Sequence, residues 1–220
     1  MRFLHLCVIL LLLQVPAFSQ NNTDALRNYF AGRDMESLNR LNEAEAFYNE
    51  AVRLASEEIT RNTANRDSYA AITWALQRLR RYDEVIMWGQ RGLWLYEDEY
   101  RIVETMGEAY FYLNNHDEAL RYMQDYTNSV PRGERASVAY FFIGEIYRFK
   151  RYYRHADIAY STAVRLEPGV DLWWYRLGLV REALGDHSQA AAAYERAVSL
   201  SPDFQDAAAA LERSVLNIER

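Results

Sequence analysis

Two consecutive stretches of 34 residues decide how this chain folds. They are 137–170, SVAYFFIGEIYRFKRYYRHADIAYSTAVRLEPGV, and 171–204, DLWWYRLGLVREALGDHSQAAAAYERAVSLSPDF. The same residue types recur 34 positions apart in Tyr140 and Trp174, Ile143 and Leu177, Gly144 and Gly178, Ala156 and Ala190, Tyr160 and Tyr194, Ala163 and Ala197, and Pro168 and Pro202. A repeat of this length indicates an array of similar structural units.

The apolar residues within each copy follow the spacing of an α-helix. Tyr140, Ile143 and Gly144 lie three or four positions apart, and Ala156 and Tyr160 resume this spacing after a short polar break. A proline follows the second apolar segment in three of the copies, and proline cannot continue a helix. Each copy is therefore predicted to form two helices joined by a turn.

Three less regular copies precede these two. Residues 100–133 keep the pattern, but three residues are inserted near Glu134 before the next copy begins. Residues 66–99 are the most divergent copy. Residues 25–58 form the first copy, and about seven extra residues near 59–65 separate it from the second. The repeat therefore organises nearly all of the chain beyond its first twenty residues.

This pattern resembles the tetratricopeptide repeat (TPR) family of 34-residue helical hairpins. The copy at 171–204 carries the family's residue types at Trp174, Leu177, Gly178, Gly185, Ala190, Tyr194, Ala197 and Pro202. It departs from the family at Arg181 and His187, where tyrosine is preferred. The resemblance implies an all-α fold, a right-handed superhelical solenoid of five TPR repeats over 25–204. We expect residues 205–220 to form a helix that caps the last repeat, with a dimerisation helix as the alternative.

Residues 1–19 have the features of a secretory signal peptide. Arg2 precedes an apolar run from Leu6 to Val15, and Ala17 and Ser19 supply the small residues of a cleavage site. The run is shorter than the roughly 20 apolar residues that span a membrane. These features predict an exported protein, periplasmic in a bacterium or otherwise secreted. The alternative is an uncleaved N-terminal anchor.

The composition argues against several classes of function. Lys and Arg number 25 against 31 Asp and Glu, which gives a formal net charge of −6, whereas nucleic-acid-binding domains are usually basic. The single cysteine, Cys7, excludes a disulfide framework and a cysteine zinc site. Signatures of a phosphate-binding loop, a zinc protease or a nucleophilic enzyme are missing. We expect a non-enzymatic protein that uses no metal or cofactor and binds no nucleic acid.

The TPR resemblance implies a concave groove lined by the first helix of each repeat. It places fifteen side chains there: Tyr29, Arg33, Trp74, Gln77, Arg78, Arg101, Glu104, Glu108, Phe111, Tyr112, Phe141, Glu145, Arg148, Phe149 and Tyr175. Aromatic residues and arginines are common at binding hot spots. We therefore expect the groove to bind a protein or peptide segment.

The expected partner segment has an apolar anchor for the aromatic walls and a basic residue for a carboxylate cluster of Glu104, Glu108 and Glu145. The alternative is that these carboxylates pair along their own helices, with Arg101 bound to Glu104 or Glu108 and Glu145 bound to Arg148. The lysine and asparagine with which some family members hold a terminal carboxylate are missing from the corresponding positions.

Two further hypotheses concern other ligands. The groove could instead close into an aromatic pocket for a small ligand, in a protein that serves a transport system. The basic turns could contact a membrane surface or an anionic partner, with ordinary solvated turns as the alternative. These turns contain Arg78, Arg80, Arg81, Arg148, Lys150, Arg151 and Arg154.

Two glycines fall inside a predicted helix of the divergent copy. Gly89 and Gly92 each cost about 1 kcal/mol there relative to alanine. We expect close packing beside Trp88 and Trp94 to offset this cost.

Overall fold

The computed structural model describes residues 23–218, which form eleven α-helices and no β-strand. The helices are α1 (Asp24–Ser37), α2 (Leu41–Thr60), α3 (Arg66–Arg78), α4 (Tyr82–Leu95), α5 (Tyr100–Tyr112), α6 (His116–Ser129), α7 (Ala136–Phe149), α8 (Tyr153–Leu166), α9 (Asp171–Ala183), α10 (His187–Leu200) and α11 (Gln205–Ile218). The predicted signal peptide, residues 1–19, lies outside the described residues. Residues 23–218 contain no helix with the length and hydropathy of a membrane span.

Consecutive helices pack against one another along the whole described chain. The first ten form five hairpins, one in each predicted copy, and α11 packs on α10 after the last of them. This arrangement confirms the predicted all-α solenoid of helical repeats. Hairpins of this kind hide their apolar faces only by stacking on their neighbours.

The turn inside each hairpin repeats one backbone feature. One residue per turn lies in the left-handed region, with φ between 57° and 80°: Asn39, Arg80, Asn114, Arg151 and Gly185. In this conformation the following backbone N–H groups reach the last carbonyls of the preceding helix, as in the 2.9 Å bond from Arg40 N to Met35 O. The extra residues after the first copy lengthen α2 to 20 residues.

The stack is curved, with the odd-numbered helices on its inner side. The helices α1, α3, α5 and α7 contact one another in order, in addition to their contacts within and between hairpins. Contacts of similar extent between consecutive even-numbered helices are absent from the described part of the chain. The helices α1, α3, α5 and α7 therefore form the closer, concave layer.

Four of the five hairpins bring their two helices together at a glycine of the first helix. In three copies a glycine of the first helix lies against a tyrosine ring of the second: Gly32 and Tyr48, Gly144 and Tyr160, and Gly178 and Tyr194. In the third copy Gly107 lies against Met123. The tyrosine rings are buried, and a Cβ atom at Gly144 would stand 2.6 Å from Cδ1 of Tyr160.

The glycines of α4 also allow close packing, and Trp88 packs on the same cluster, but the prediction for Trp94 was wrong. A Cβ atom at Gly89 would meet Met106, and one at Gly92 would stand 2.8 Å from Cδ1 of Ile102. Met106 and Ile102 belong to α5 of the following copy, and Gly92 also meets Tyr69 of its own copy, whereas Trp94 is 81% exposed. Gly89 stands at the repeat position where the other copies carry a tyrosine or methionine. In the divergent copy, Met106 from the following copy packs against this position instead.

We expect Gly144→Ala to lower the free energy of unfolding by about 1–2 kcal/mol, because overpacking against the Tyr160 ring exceeds the gain in helix propensity. Gly169→Ala in the same copy is the matched control, since its Cβ would meet no atom within 4 Å. Urea unfolding of both variants checks this. A Gly144→Ala protein as stable as the control would show that the contact does not restrict the hairpin.

Candidate functional site

A recess of about 480 Å³ lies on the concave side of the first three repeats. Its walls come from α1, α3, α5 and the segment that joins α6 to α7. The lining residues are Tyr29, Phe30, Arg33, Trp74, Gln77, Arg78, Tyr100, Arg101, Glu104, Tyr126, Val130, Gly133, Glu134 and Arg135. The site thus combines five aromatic side chains with four arginines.

Seven of the fifteen predicted groove residues line this recess: Tyr29, Arg33, Trp74, Gln77, Arg78, Arg101 and Glu104. The other eight lie elsewhere: Glu108, Phe111, Tyr112, Phe141, Glu145, Arg148, Phe149 and Tyr175. Sequence reasoning missed the other seven lining residues, which are Phe30, Tyr100, Tyr126, Val130, Gly133, Glu134 and Arg135. The three-residue insertion near Glu134 was the signal that could have indicated the segment from Val130 to Arg135.

The aromatic wall is built by α1 and α3. The rings of Tyr29 and Trp74 lie with centroids 5.1 Å apart, and Phe30 meets Trp74 edge-on at 6.4 Å. Tyr29 is buried, while Phe30 remains 42% exposed. The Arg101 guanidinium lies over the indole ring of Trp74, 5.6 Å from its centroid. The wall therefore has a buried side at Tyr29 and an exposed side at Phe30 that faces the recess.

The segment between α6 and α7 forms the opposite wall. The Arg135 backbone N–H donates to the Tyr126 hydroxyl at 3.3 Å. The Arg135 side chain crosses to α5, where its Nε donates to Glu104 Oε1 at 3.1 Å and its Nη2 donates to Glu108. The Gln77 amide donates to the same Glu108 carboxylate from α3. This network fixes the inserted segment to the concave face.

The expected carboxylate cluster does not offer free charge to a basic partner. Glu104 and Glu108 are only 3% and 4% exposed, and both form ion pairs with Arg135. The suggested pairing of these glutamates with Arg101 was also wrong. Arg101 instead donates to Glu99 at 2.7 Å and to Asp67 at 2.8 Å.

Glu145 lies apart from the other two carboxylates, on α7. It is buried and accepts hydrogen bonds from Arg148 at 2.8 Å and from the Tyr160 hydroxyl, and Arg176 lies 3.3 Å away. The alternative reading, in which Glu145 pairs with Arg148 along one helix, is confirmed. This carboxylate serves the packing between the fourth and fifth repeats.

The remaining predicted aromatics pack largely among themselves. Phe141 stacks on Trp173 at 5.2 Å, and Tyr175 lies 5.0 Å from Phe204. Further along the inner side, Phe111, Tyr112 and Phe149 form a cluster with Phe142 and His116. Phe149 and Tyr112 keep about half of their surfaces exposed. These rings extend the concave surface beyond the recess.

Positive charge converges on the recess. Burial raises the pKa of Tyr29, and the charges of Arg33, Arg78 and Arg135 oppose this rise. Arg78 is held by Glu36, to which its Nε donates at 3.0 Å. Three guanidinium groups from three parts of the chain therefore act on one hydroxyl group at the aromatic wall.

Four of the seven basic turn residues form ion pairs within the protein. Arg78 pairs with Glu36, Arg81 with Glu84, Arg148 with Glu145 and Lys150 with Asp117. Among the seven turn residues, only Arg80, Arg151 and Arg154 lack a carboxylate within ion-pair distance in residues 23–218. Peripheral membrane contact through these turns stays an untested prediction.

The fold defines a helical-repeat solenoid with a recess on its concave side. Family models described as tetratricopeptide repeat match residues 36–58, 105–132, 137–169 and 172–204, which together make up just over half of the chain. The chain therefore belongs to the tetratricopeptide repeat family. The matched segments leave out 66–99, the divergent copy.

Solved structures of similar fold share little sequence with this chain. The MamA protein is 19% identical, with a TM-score of 0.63 over 70% of this chain and 82% of its own. TTC0263, a thermophilic TPR protein of Thermus thermophilus, is 16% identical, with a TM-score of 0.64 over 87% and 99%. YrrB, a TPR protein with an unusual peptide-binding site, is 19% identical, with a TM-score of 0.58 over 86% and 92%. No curated protein sequence matches the chain.

Burial, reinforced by the charge of Glu108, raises the pKa of Glu104 well above its usual value, and Arg135 only partly opposes this rise. A carboxyl group with a raised pKa in the folded state destabilises the fold at high pH. Stability returns as the pH falls through that pKa towards the unfolded value of about 4.3. The charged form of Glu104 is thus a cost to the fold at neutral pH.

We expect Glu104→Gln to be at least as stable as the parent near pH 8, because glutamine keeps an acceptor for Arg135 without a buried charge. The parent should gain stability relative to the variant as the pH falls to about 5. Urea unfolding at both pH values measures this, with Glu43→Gln in the exposed Arg40 pair as control. A loss of more than about 1 kcal/mol in Glu104→Gln near pH 8 would mean that the buried ion pair stabilises the fold.

Proposed function

We propose that this protein is a non-enzymatic interaction scaffold that holds a segment of a partner protein in the recess. The observation that carries the proposal is the open aromatic wall of Phe30 and Trp74, bounded on the other side by the segment that contains Arg135. Aromatic and arginine side chains in a recess supply large contact areas and directed hydrogen bonds, which is the composition of binding hot spots.

The family supports the same function. TPR repeats are generally scaffolds for protein interaction, and YrrB is described as having a peptide-binding site. Because YrrB shares only 19% of its residues with this chain, its site is a precedent for the fold and gives no residue correspondence.

We also propose that the scaffold acts outside the cytoplasm, in a bacterial periplasm. The proposal rests on the signal-peptide features of residues 1–19. Fractionation of cells that express the full chain tests it directly. A product that keeps residues 1–19 and stays in the cytoplasmic fraction would refute export.

A second candidate function is the binding of a small ligand. The recess volume of about 480 Å³ falls within the range of roughly 300–1,000 Å³ that ligand pockets occupy. Native mass spectrometry of protein purified from its own cells separates the two candidates. The scaffold proposal expects the mass of the bare chain, whereas a bound mass that Trp74→Ala removes would favour the small ligand.

Site-specific photocrosslinking tests the scaffold proposal. We expect a benzoylphenylalanine at position 30, inside the recess, to crosslink a partner protein that mass spectrometry can identify. The same photoreactive residue at position 94 is the matched control, because Trp94 is highly exposed and lies outside the recess. Equal adducts at both positions, or none at position 30, would contradict the proposal.

The identified partner then gives a quantitative test. We expect Trp74→Ala to weaken its binding at least tenfold, because loss of a hot-spot aromatic costs about 2 kcal/mol or more. Trp94→Ala should leave the affinity unchanged. Thermal unfolding of both variants reports whether Trp74→Ala retains its fold, and Phe30→Ala provides a second recess variant whose side chain is more exposed.

A further inference from the structure

The charged groups that face the recess are mostly cationic. Four arginines line it, from α1, α3, α5 and the start of α7, against two glutamates, Glu104 and Glu134. Glu104 pairs with Arg135, which it shares with Glu108. The carboxylates that hold Arg78 and Arg101, which are Glu36, Glu99 and Asp67, do not line the recess. A ligand in the recess therefore meets guanidinium groups from four arginines and the exposed carboxylate of Glu134.

Arg33 differs from the other three arginines. It is exposed on α1 and forms no ion pair within residues 23–218, whereas Arg78, Arg101 and Arg135 are each held by carboxylates. Its guanidinium group acts on the hydroxyl of the buried Tyr29, and Arg33 lies three residues from Phe30. The guanidinium donors that Tyr29 does not use, next to an aromatic wall, are the ones we consider for an anion.

Two further donors remain at the same place. Arg78 uses its Nε and Nη2 atoms on Glu36, and Arg135 uses its Nε and Nη2 atoms on the α5 glutamates. In each case the Nη1 group has no carboxylate acceptor among the described residues. The carboxylates behind these arginines orient the guanidinium planes, which lowers the cost of binding a planar carboxylate.

The inserted segment limits what the recess accepts. Arg135 crosses from the start of α7 to α5, so that the segment 130–135 forms a wall at one end of the aromatic surface. A volume of about 480 Å³ accommodates a few side chains of a peptide. The occupied part of a partner is therefore a short stretch of chain.

We propose that the recess binds a short acidic segment of a partner protein, with a carboxylate at Arg33 and a neighbouring apolar side chain against Phe30 and Trp74. This inference rests on the proposed scaffold function and specifies the chemistry of the partner. It reverses the expectation of a basic residue in the partner, because the glutamates that suggested one are buried under Arg135.

Selection from a random twelve-residue peptide library displayed on phage tests the inference without knowledge of the partner. Peptides displayed at an internal position carry no free terminal carboxylate, so that enrichment reports side-chain chemistry. We expect aspartate and glutamate next to leucine or aromatic residues to be enriched over the starting library. A neutral or basic selected pool, or no enrichment over empty beads, would overturn the inference.

Arg33→Gln is the decisive variant, because Arg33 is exposed and its loss breaks no ion pair of the fold. We expect the acidic enrichment to disappear, and the affinity of a selected synthetic peptide with blocked ends to fall about tenfold. Arg154→Gln is the matched control, since Arg154 is also exposed and unpaired but lies in α8, away from the recess. Equal effects of the two substitutions would point to general charge attraction and refute a carboxylate site.

Binding measurements with the photocrosslinked partner distinguish failure of this inference from failure of the proposed function. A partner captured at position 30 whose affinity is unchanged by Arg33→Gln would leave the scaffold function standing and remove the acidic specificity. Absence of any adduct at position 30 would remove the scaffold function itself. We expect the captured partner to bind Arg33→Gln about tenfold more weakly and to retain its affinity for Arg154→Gln.

Discussion

The close approach of two helices at a glycine sets the geometry of the hairpins and, through them, of the stack. In the copy at 137–170 the Gly144 backbone lies against the buried Tyr160 ring, and two other copies repeat this contact. Because the separation between the paired helices is fixed in this way, successive hairpins stack with the odd-numbered helices on the inner side. The curvature of that inner layer brings α1, α3 and α5 around one recess.

The recess itself depends on a departure from the repeat. Three residues inserted before the fourth copy bring Arg135 across to Glu104 and Glu108, and Gln77 joins the same network from α3. The buried pair of like charges is costly on its own, so that the network needs its arginine. The arrangement converts a shallow inner curve into a bounded site, which is the feature on which the proposed function rests.

Much of the fold follows from local patterns. The 34-residue spacing, the glycines and the prolines after the second helices predict the hairpins and their order, because each feature acts within one repeat. About half of the predicted groove residues line the recess. The carboxylates were misassigned because their partner, Arg135, lies 27 and 31 residues away and belongs to a segment with no counterpart in the other copies. Periodicity carries no information about such a contact.

The sequence by itself determined the class of fold, the number of hairpins and the divergence of the copy at 66–99, since helix formation and hairpin packing depend on residues close together in the chain. Only the tertiary structure decided which charged side chains form ion pairs within the protein and which are accessible to a ligand. Glu104 and Arg33 are both charged residues of inner helices, yet Glu104 is buried and pairs with Arg135, whereas Arg33 is exposed beside Tyr29 and forms no ion pair within residues 23–218. The physical reason is that burial and pairing are set by neighbours from distant repeats.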